Sequence, residues 1–554
     1  MAAVVVGVTA RAYQTRPAVQ TLQEAGPWLG VRDDLSPNVA SDKWLRALQN
    51  GYVVHEDIGP AIEGRPGFAQ MGSQLGSSGK RTGLRAYQFT TRAGVQYTVA
   101  IVGGQFYTYN WSTDVWTEVV TVANLTSASI TLSETAPVYC VTFADKLIVS
   151  DGVNVPWAWS GASGAGGLTK LTYCPVLFGQ PVVYYAKLFG IKSTERSTIV
   201  WSEEADPNVG YEATISGRVY NNAWTVGQTD QNTLFALAAT NRAMYLFRAR
   251  SITEISGAVA DDFRTTGTLP AVSSVVGCQS PGGVVVVDED IWFWSSDNQP
   301  RVIRAGGGLA PESNAMGQTV RYSPLSTAAL ANVRAVYVDY ASVVLFGFPE
   351  SGSTVPTAYL AMSTNTGAYV GLWRGWQCTT LDIVRDGNGT PRMMHLGGST
   401  AGASADGYAY VHGRPELSLW SDALQGGSQV IAHALTTGYL LWDAAEEHRL
   451  DRLTVSFLTT TGLTNCGATV TTPSGVSAVQ AFAVVSSGTA LWDQVTWDNF
   501  VWAGASSELR ADLGRADEGR WLVVQLTHGT LTERWTINRL RLEAFRRDAR
   551  PDIN

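Results

Sequence analysis

Lysine is nearly missing from this sequence: it occurs six times in 554 residues and never after Lys192. Charged residues of every kind make up only 16% of the chain, and 47 acidic residues outnumber 39 basic ones for a net charge of −8. A protein whose main task is to neutralise phosphates concentrates positive charge, so that role is excluded. Cysteine is scarce as well. Cys140, Cys174, Cys278, Cys378 and Cys466 form an odd, scattered set without a C-x-x-C pair. They exclude a zinc ribbon and a disulfide framework, and point to buried free thiols in a protein made in a reducing cytosol. No window approaches the ~18 uninterrupted apolar residues that cross a bilayer. The short apolar run after Met1 has no positive residue ahead of it, so a Sec signal is not expected. The expectation is a soluble protein, or one that reaches a membrane only as part of something larger.

What is present argues for a folded, mostly β chain. Hydrophobic residues are 45% and aromatics 10%, with 56 glycines and 19 tryptophans, far from the composition of a disordered chain. Stretches of helical period are nearly absent. From about Arg85 to Glu416 the sequence repeats short apolar or alternating strands joined by tight turns, a hairpin pattern. The first hairpin turns at Gly103–Gly104 and the second at Asp145–Lys146. Later turn centres lie near residues 187, 241, 289, 340 and 388. A repeat of about 40–50 residues is the spacing of four-stranded propeller blades, although a long sandwich chain also gives evenly spaced strands. The expected fold is all-β, a β-propeller of six to seven blades over residues 81–425. An irregular arm, residues 1–80, precedes it, and a β-sandwich, residues 426–554, follows. Within the arm, Ser41–Gln49 is a helix candidate capped by Ser41, and Gly72–Gly79 reads as a flexible connection.

Catalytic chemistry finds no foothold in the pattern. The six histidines, His55, His395, His412, His433, His448 and His528, lie in no nucleophile elbow and no metalloprotease helix. Ala305–Leu309 is the nearest approach to a phosphate-binding loop but lacks the lysine and the helix. Propellers host glycosidases with paired carboxylates, which makes Asp288, Glu289 and Asp290, and Glu203, Glu204 and Asp206, the acidic candidates. Both groups read as solvated loop charges. Ser112–Trp116 and Ser363–Tyr369 approximate sialidase turns, and Asp386–Thr390 resembles the start of a calcium loop with Gly397 in the place of its closing glutamate. All three read as plain turns. The tryptophans suit strand packing and interfaces better than a carbohydrate platform. No catalytic, cofactor-binding or metal-ligating residue is assigned, no cofactor is expected, and the protein is read as a non-enzyme.

A more specific arrangement runs through the first hundred residues: Gly30, Asp33 and Pro37, then Trp44–Leu45, Asn50–Gly51 and Asp57, then Gly64-Arg65-Pro66-Gly67-Phe68, and then Gly83-Leu84-Arg85 leading into the Gly103–Gly104 hairpin. It resembles the opening of structural tail proteins of tailed bacteriophages. Among short-tailed, podovirus-like phages these look like the nozzle, a ring of six propeller-bearing subunits at the distal end of the tail tube. The run Gly514–Leu526 and the strand Trp535–Phe545 are similar to the closing strands of that family. The resemblance implies a virion structural protein synthesised in the bacterial host cytoplasm. It further implies a homohexamer that contacts a tail adaptor and fibres or spikes, and a ring that continues and gates the channel through which phage DNA is ejected. No sequence-specific DNA binding and no membrane-spanning segment are expected. Net negative charge suits a lumen along which a polyanion slides. The other reading of the propeller pattern is a receptor-binding or carbohydrate-cleaving protein, an adhesin or depolymerase.

Overall fold

In the computed structural model the described residues are 20–25, 28–32, 43–56, 59–226, 232–256, 271–306, 309, 326–397, 406–413, 421–424 and 427–437, together with strands of the C-terminal part between 440 and 546. Seven sheets among them stand in a ring, each begun by an inner strand. In chain order these strands are Gly83–Thr90, Tyr139–Phe143, Leu177–Tyr184, Leu234–Ala239, Val284–Val287, Arg334–Val338 and Thr380–Arg385. Each inner strand touches the next, and the seventh touches the first, so the ring closes. This is a β-propeller. The blades pack face to face through large apolar side chains, as where Phe106 of the first blade meets Trp159 of the second edge-on at 4.9 Å between ring centres.

The hairpin turns follow from local chemistry. Gly103 and Gly104 both have positive φ, as a primed turn requires. The second hairpin bends one residue earlier than expected, on Ala144 and Asp145. Gly103–Gly104 joins the second and third strands of its blade, whereas the other repeat-marking turns join first and second strands. The equivalent turn of the first blade is Thr91–Val95, closed by a backbone hydrogen bond of 2.9 Å.

The described part of the N-terminal segment is built of strands rather than an irregular arm. Phe68–Met71 pairs with Ala409–His412 as the outer strand of the seventh blade, so strands from both ends of the repeat region close the ring. Trp44–Gln49 is a strand where a helix was expected. It pairs with His433–Thr437, and a register shift between Leu45 and Ala47 places Leu45 and Leu48 on one buried face. That bulge imitates the three-residue spacing of a helix, and sheet pairing overrides the helical propensity of the segment. Gly72–Gly79 is pinned rather than flexible: Leu75 is buried and its N–H donates to the Gly407 carbonyl at 2.7 Å, while Gly76 N–H donates to the Tyr107 hydroxyl at 3.1 Å.

The C-terminal strands do not stand apart as residues 426–554 alone. Gln49 of the strand Trp44–Gln49 bridges to Leu372 in the outer strand of the sixth blade, Tyr369–Arg374, and the sheet continues through His433–Thr437, Trp521–His528 and Cys466–Thr472. A second sheet combines the hairpin Gly51–Glu56 and Gly59–Gly64 with Thr536–Arg546, His448–Phe457 and Ser507–Asp512. One apolar core spans both sheets and the fifth to seventh blades, from Trp294 and Phe346 to Leu526, Ile537 and Leu540. The boundaries at residues 80 and 426 therefore separate segments of sequence, and apolar burial joins those segments into common sheets.

Candidate functional site

Asp290, Glu289, Glu203, Asp206 and Asp386, singled out in the sequence, are held by local partners. Asp290 pairs with Arg304 at 2.7 Å and accepts from Ala305 N–H at 2.8 Å, while Glu289 accepts from Asn241 at 3.0 Å. Asp288 takes the positive-φ position of the hairpin. Glu203 accepts from Asn222, and Asp206 from the N–H of Asn208, both at 2.9 Å. Asp386 accepts from the N–H groups of Asn388 and Thr390 at 2.9 Å, the bonding of an Asx turn. In Ser363–Tyr369, the Gly367 N–H closes the turn on the Ser363 carbonyl at 2.9 Å, and Asp114 accepts from the Tyr109 hydroxyl. Among the described residues no group of three His, Cys, Asp or Glu side chains is placed to hold a metal. Trp28, Trp157, Trp159, Trp201, Trp292 and Trp373 are fully buried, and among the described residues no tryptophan is an exposed large apolar residue. The side chains of His55 and His448 lie outside the described residues.

The densest polar arrangement is one the sequence does not announce. Arg65, at the end of the hairpin that joins the second sheet, is 1% exposed. Its Nη1 donates to Asp422 Oδ1 at 2.9 Å and its Nη2 to Asp422 Oδ2 at 2.5 Å, a bidentate pair. Nε donates to Asn50 Oδ1 at 3.2 Å, and the remaining N–H groups donate to the carbonyls of Pro66 at 3.2 Å and Arg374 at 3.1 Å. All five donors of the fork are thus used, and the guanidinium lies 4.6 Å from the centre of the Trp376 ring.

Asn50 is the second hub. Its φ of +54° is left-handed, a region asparagine tolerates better than most residues. Its side chain donates to the Ala432 carbonyl at 2.8 Å and accepts from Arg374 N–H at 2.7 Å, and its carbonyl accepts from Arg65 N–H at 2.8 Å and His433 Nδ1 at 2.7 Å. Next to it the chains touch: a Cβ on Gly371 would stand 2.0 Å from the Gly51 carbonyl oxygen, so glycine is required there. Phe68 completes the junction, packing edge-on against His395 at 5.0 Å between ring centres and against Trp376 at 6.0 Å. His395 Nδ1 and His412 Nε2 share one hydrogen bond of 2.9 Å in the interior. Burial holds His395 and His433 down to about 3, with the Arg65 charge adding to the effect. His412 is held well below its ordinary value by burial, then by His395 and Arg65. All three rings are neutral at pH 7 and serve packing and hydrogen bonding.

No protein-family model and no curated protein matches the chain. Solved structures similar to it include the WD40 domain of Neurospora crassa Pan2, at 10% identity over 63% of this chain and 95% of that one with a TM-score of 0.35. PorZ, a surface component of the type-IX secretion system of Porphyromonas gingivalis, is similar at 9% identity over 69% of this chain and 44% of that one, with a TM-score of 0.38. The AfRom2 CNH domain is similar at 11% identity over 62% and 97%, with a TM-score of 0.37. Likenesses of this strength say nothing about activity.

Proposed function

We propose that this chain is a virion structural protein, the distal nozzle or tail-tube subunit of a short-tailed bacteriophage, acting as a homohexamer whose ring continues and gates the DNA channel. One observation carries the reading. Trp44, Leu45, Asn50, Gly51, Arg65, Pro66 and Phe68, residues on which the resemblance to that family rests, lie along one buried junction where the propeller meets the C-terminal sheets. A generic turn has no need of such a junction. A subunit that passes force from a tail to its adsorbing end does, because blades and sheets must move as one piece. The mechanism is mechanical: a closed ring of blades is a stiff platform for fibres or spikes, and DNA slides through the lumen between subunits without sequence-specific contacts. No helix among the described residues is long and apolar enough to cross a membrane.

Mass photometry and negative-stain imaging of the purified chain test the assembly. A six-fold ring with an axial opening is the expected result, and a stable trimer or a monomer at micromolar concentration overturns it. Incubation with host polysaccharide separates the depolymerase reading, since release of reducing ends would refute a non-enzymatic role.

A further inference from the structure

The seven inner strands enclose a channel, and a cavity of about 380 Å³ in it is lined by Arg85, Tyr139, Gln180, Arg334, Tyr337 and Asp382, among others. The inner strands all run the same way along the channel, so residues early in those strands share one end. Arg334 and Tyr139 are the first residues of Arg334–Val338 and Tyr139–Phe143, and Arg85 and Asp382 are the third of Gly83–Thr90 and Thr380–Arg385. Arg196 belongs to the same end: its carbonyl accepts from the N–H of Leu234, the first residue of the fourth inner strand, at 2.8 Å. Its guanidinium is seated 3.6 Å from the Phe178 ring centre and 4.6 Å from that of Phe235. Asp339 and Arg385 line the opposite end and balance one another in sign.

At the first end the charges of Arg334, Arg85 and Arg196 act on Tyr139, while Asp382 is the carboxylate lining this end of the cavity. Asp382 Oδ2 lies 2.8 Å from Arg85 Nη2 and offsets one positive charge. The surplus stands inside a chain whose net charge is −8, within walls that screen it poorly. Arg85 Nε, Arg196 Nε and Arg196 Nη2 are buried and make no hydrogen bond among the described residues. Buried donors of this kind ordinarily have an acceptor; Asp382 Oδ2, itself without a hydrogen bond among those residues, is the acceptor beside Arg85, and Arg196 lies against the Phe178 and Phe235 rings. The Arg334 side chain is oriented by Nη1, which donates to the Val333 carbonyl at 3.0 Å. Burial pushes the Tyr139 hydroxyl above its ordinary value, opposed by Arg334, Arg85 and Arg196, which places it among these charges as a protonated donor at neutral pH.

We propose that this end of the propeller channel binds a small ligand bearing an oxyanion, a carboxylate or a phosphate, held by Arg85 and Arg334 with the Tyr139 hydroxyl as a further donor. Oxyanion geometry suits planar guanidinium groups, which offer paired donors as well as charge. The site is internal to one propeller and does not depend on the hexamer.

Isothermal titration of the full chain with inorganic phosphate, and separately with malonate as the carboxylate probe, tests it against sodium chloride at matched ionic strength. Saturable binding of either oxyanion is expected, and the tighter of the two names the class. Asp382→Asn removes the internal competitor and should tighten binding by about threefold to tenfold, while Arg85→Gln/Asp382→Asn, which removes both members of the ion pair together, should weaken it by at least about tenfold. Heats no larger than the chloride control overturn the proposal, and so does unchanged affinity in the double variant. If the double variant does not fold, Asp382→Asn decides alone: tighter binding supports the site, and equal or weaker binding overturns it.

Discussion

Breaking the Arg65–Asp422 pair from one side gives the sharpest test of the junction. In Asp422→Leu the guanidinium stays where it is, 1% exposed, but loses its acceptors at 2.9 and 2.5 Å. It keeps only the neutral oxygens of Asn50, Pro66 and Arg374. An uncompensated buried charge of this kind costs about 3–5 kcal/mol. Removing both partners, in Arg65→Met/Asp422→Leu, takes the charge away as well, and apolar replacements of similar size recover most of that loss. The double variant is therefore expected to be about 2–4 kcal/mol more stable than Asp422→Leu alone. Urea unfolding followed by tryptophan fluorescence reads the total. Hydrogen exchange in the hairpin Ser421–Leu424 and Gly427–Val430 reads the local release, with protection in the single variant lost there before it is lost in the blades. A single variant within about 1 kcal/mol of the parent, or no more costly than the double, would refute a clamp built on this pair.

Two further predictions follow from buried titratable groups. His395 and His433 are held at about 3, and His412 well below its ordinary value, whereas in the unfolded chain all three titrate near their ordinary ~6.5. The unfolded state therefore takes up protons first, so stability is complete above about pH 6.5 and falls towards pH 3, by up to ~1.4 kcal/mol per pH unit for each ring. Urea midpoints at pH 7, 6 and 5 should decline in that order, and a flat series would contradict the burial of these rings. Burial also pushes the thiols of Cys140, Cys174, Cys278 and Cys466 up to about 12, and that of Cys378 to about 11. A thiol-specific disulfide reagent at pH 8 should label none of them in the native protein and all five after denaturation. Fast labelling of any one without denaturant would show that its sheet opens.

The propeller was legible because its determinants are local. Alternating apolar residues, turn residues with access to positive φ and a steady repeat are written within each blade, and the inner hairpins fall close to where that pattern puts them. The Trp44–Gln49 strand was not legible, because its two buried leucines stand three apart as on a helix and only the bulged pairing with His433–Thr437 reveals the sheet. The first blade misled in a milder way, since Gly103–Gly104 is the stronger turn signal and yet is not the turn that repeats.

By itself the sequence determined the fold class, the turn chemistry, the burial of isolated thiols and the acidic, lysine-poor charge balance, all of which depend on residue types and short spacings. Tertiary structure alone decided which strands close the ring, which segments share sheets with the C-terminal part, and which charges are buried together. Arg65 and Asp422 are 357 positions apart. The charges of Arg85, Arg196 and Arg334 likewise meet around Tyr139 only because different parts of the ring carry them there. Pairing across such distances is fixed by the burial of whole sheets, to which no local window of the chain gives access.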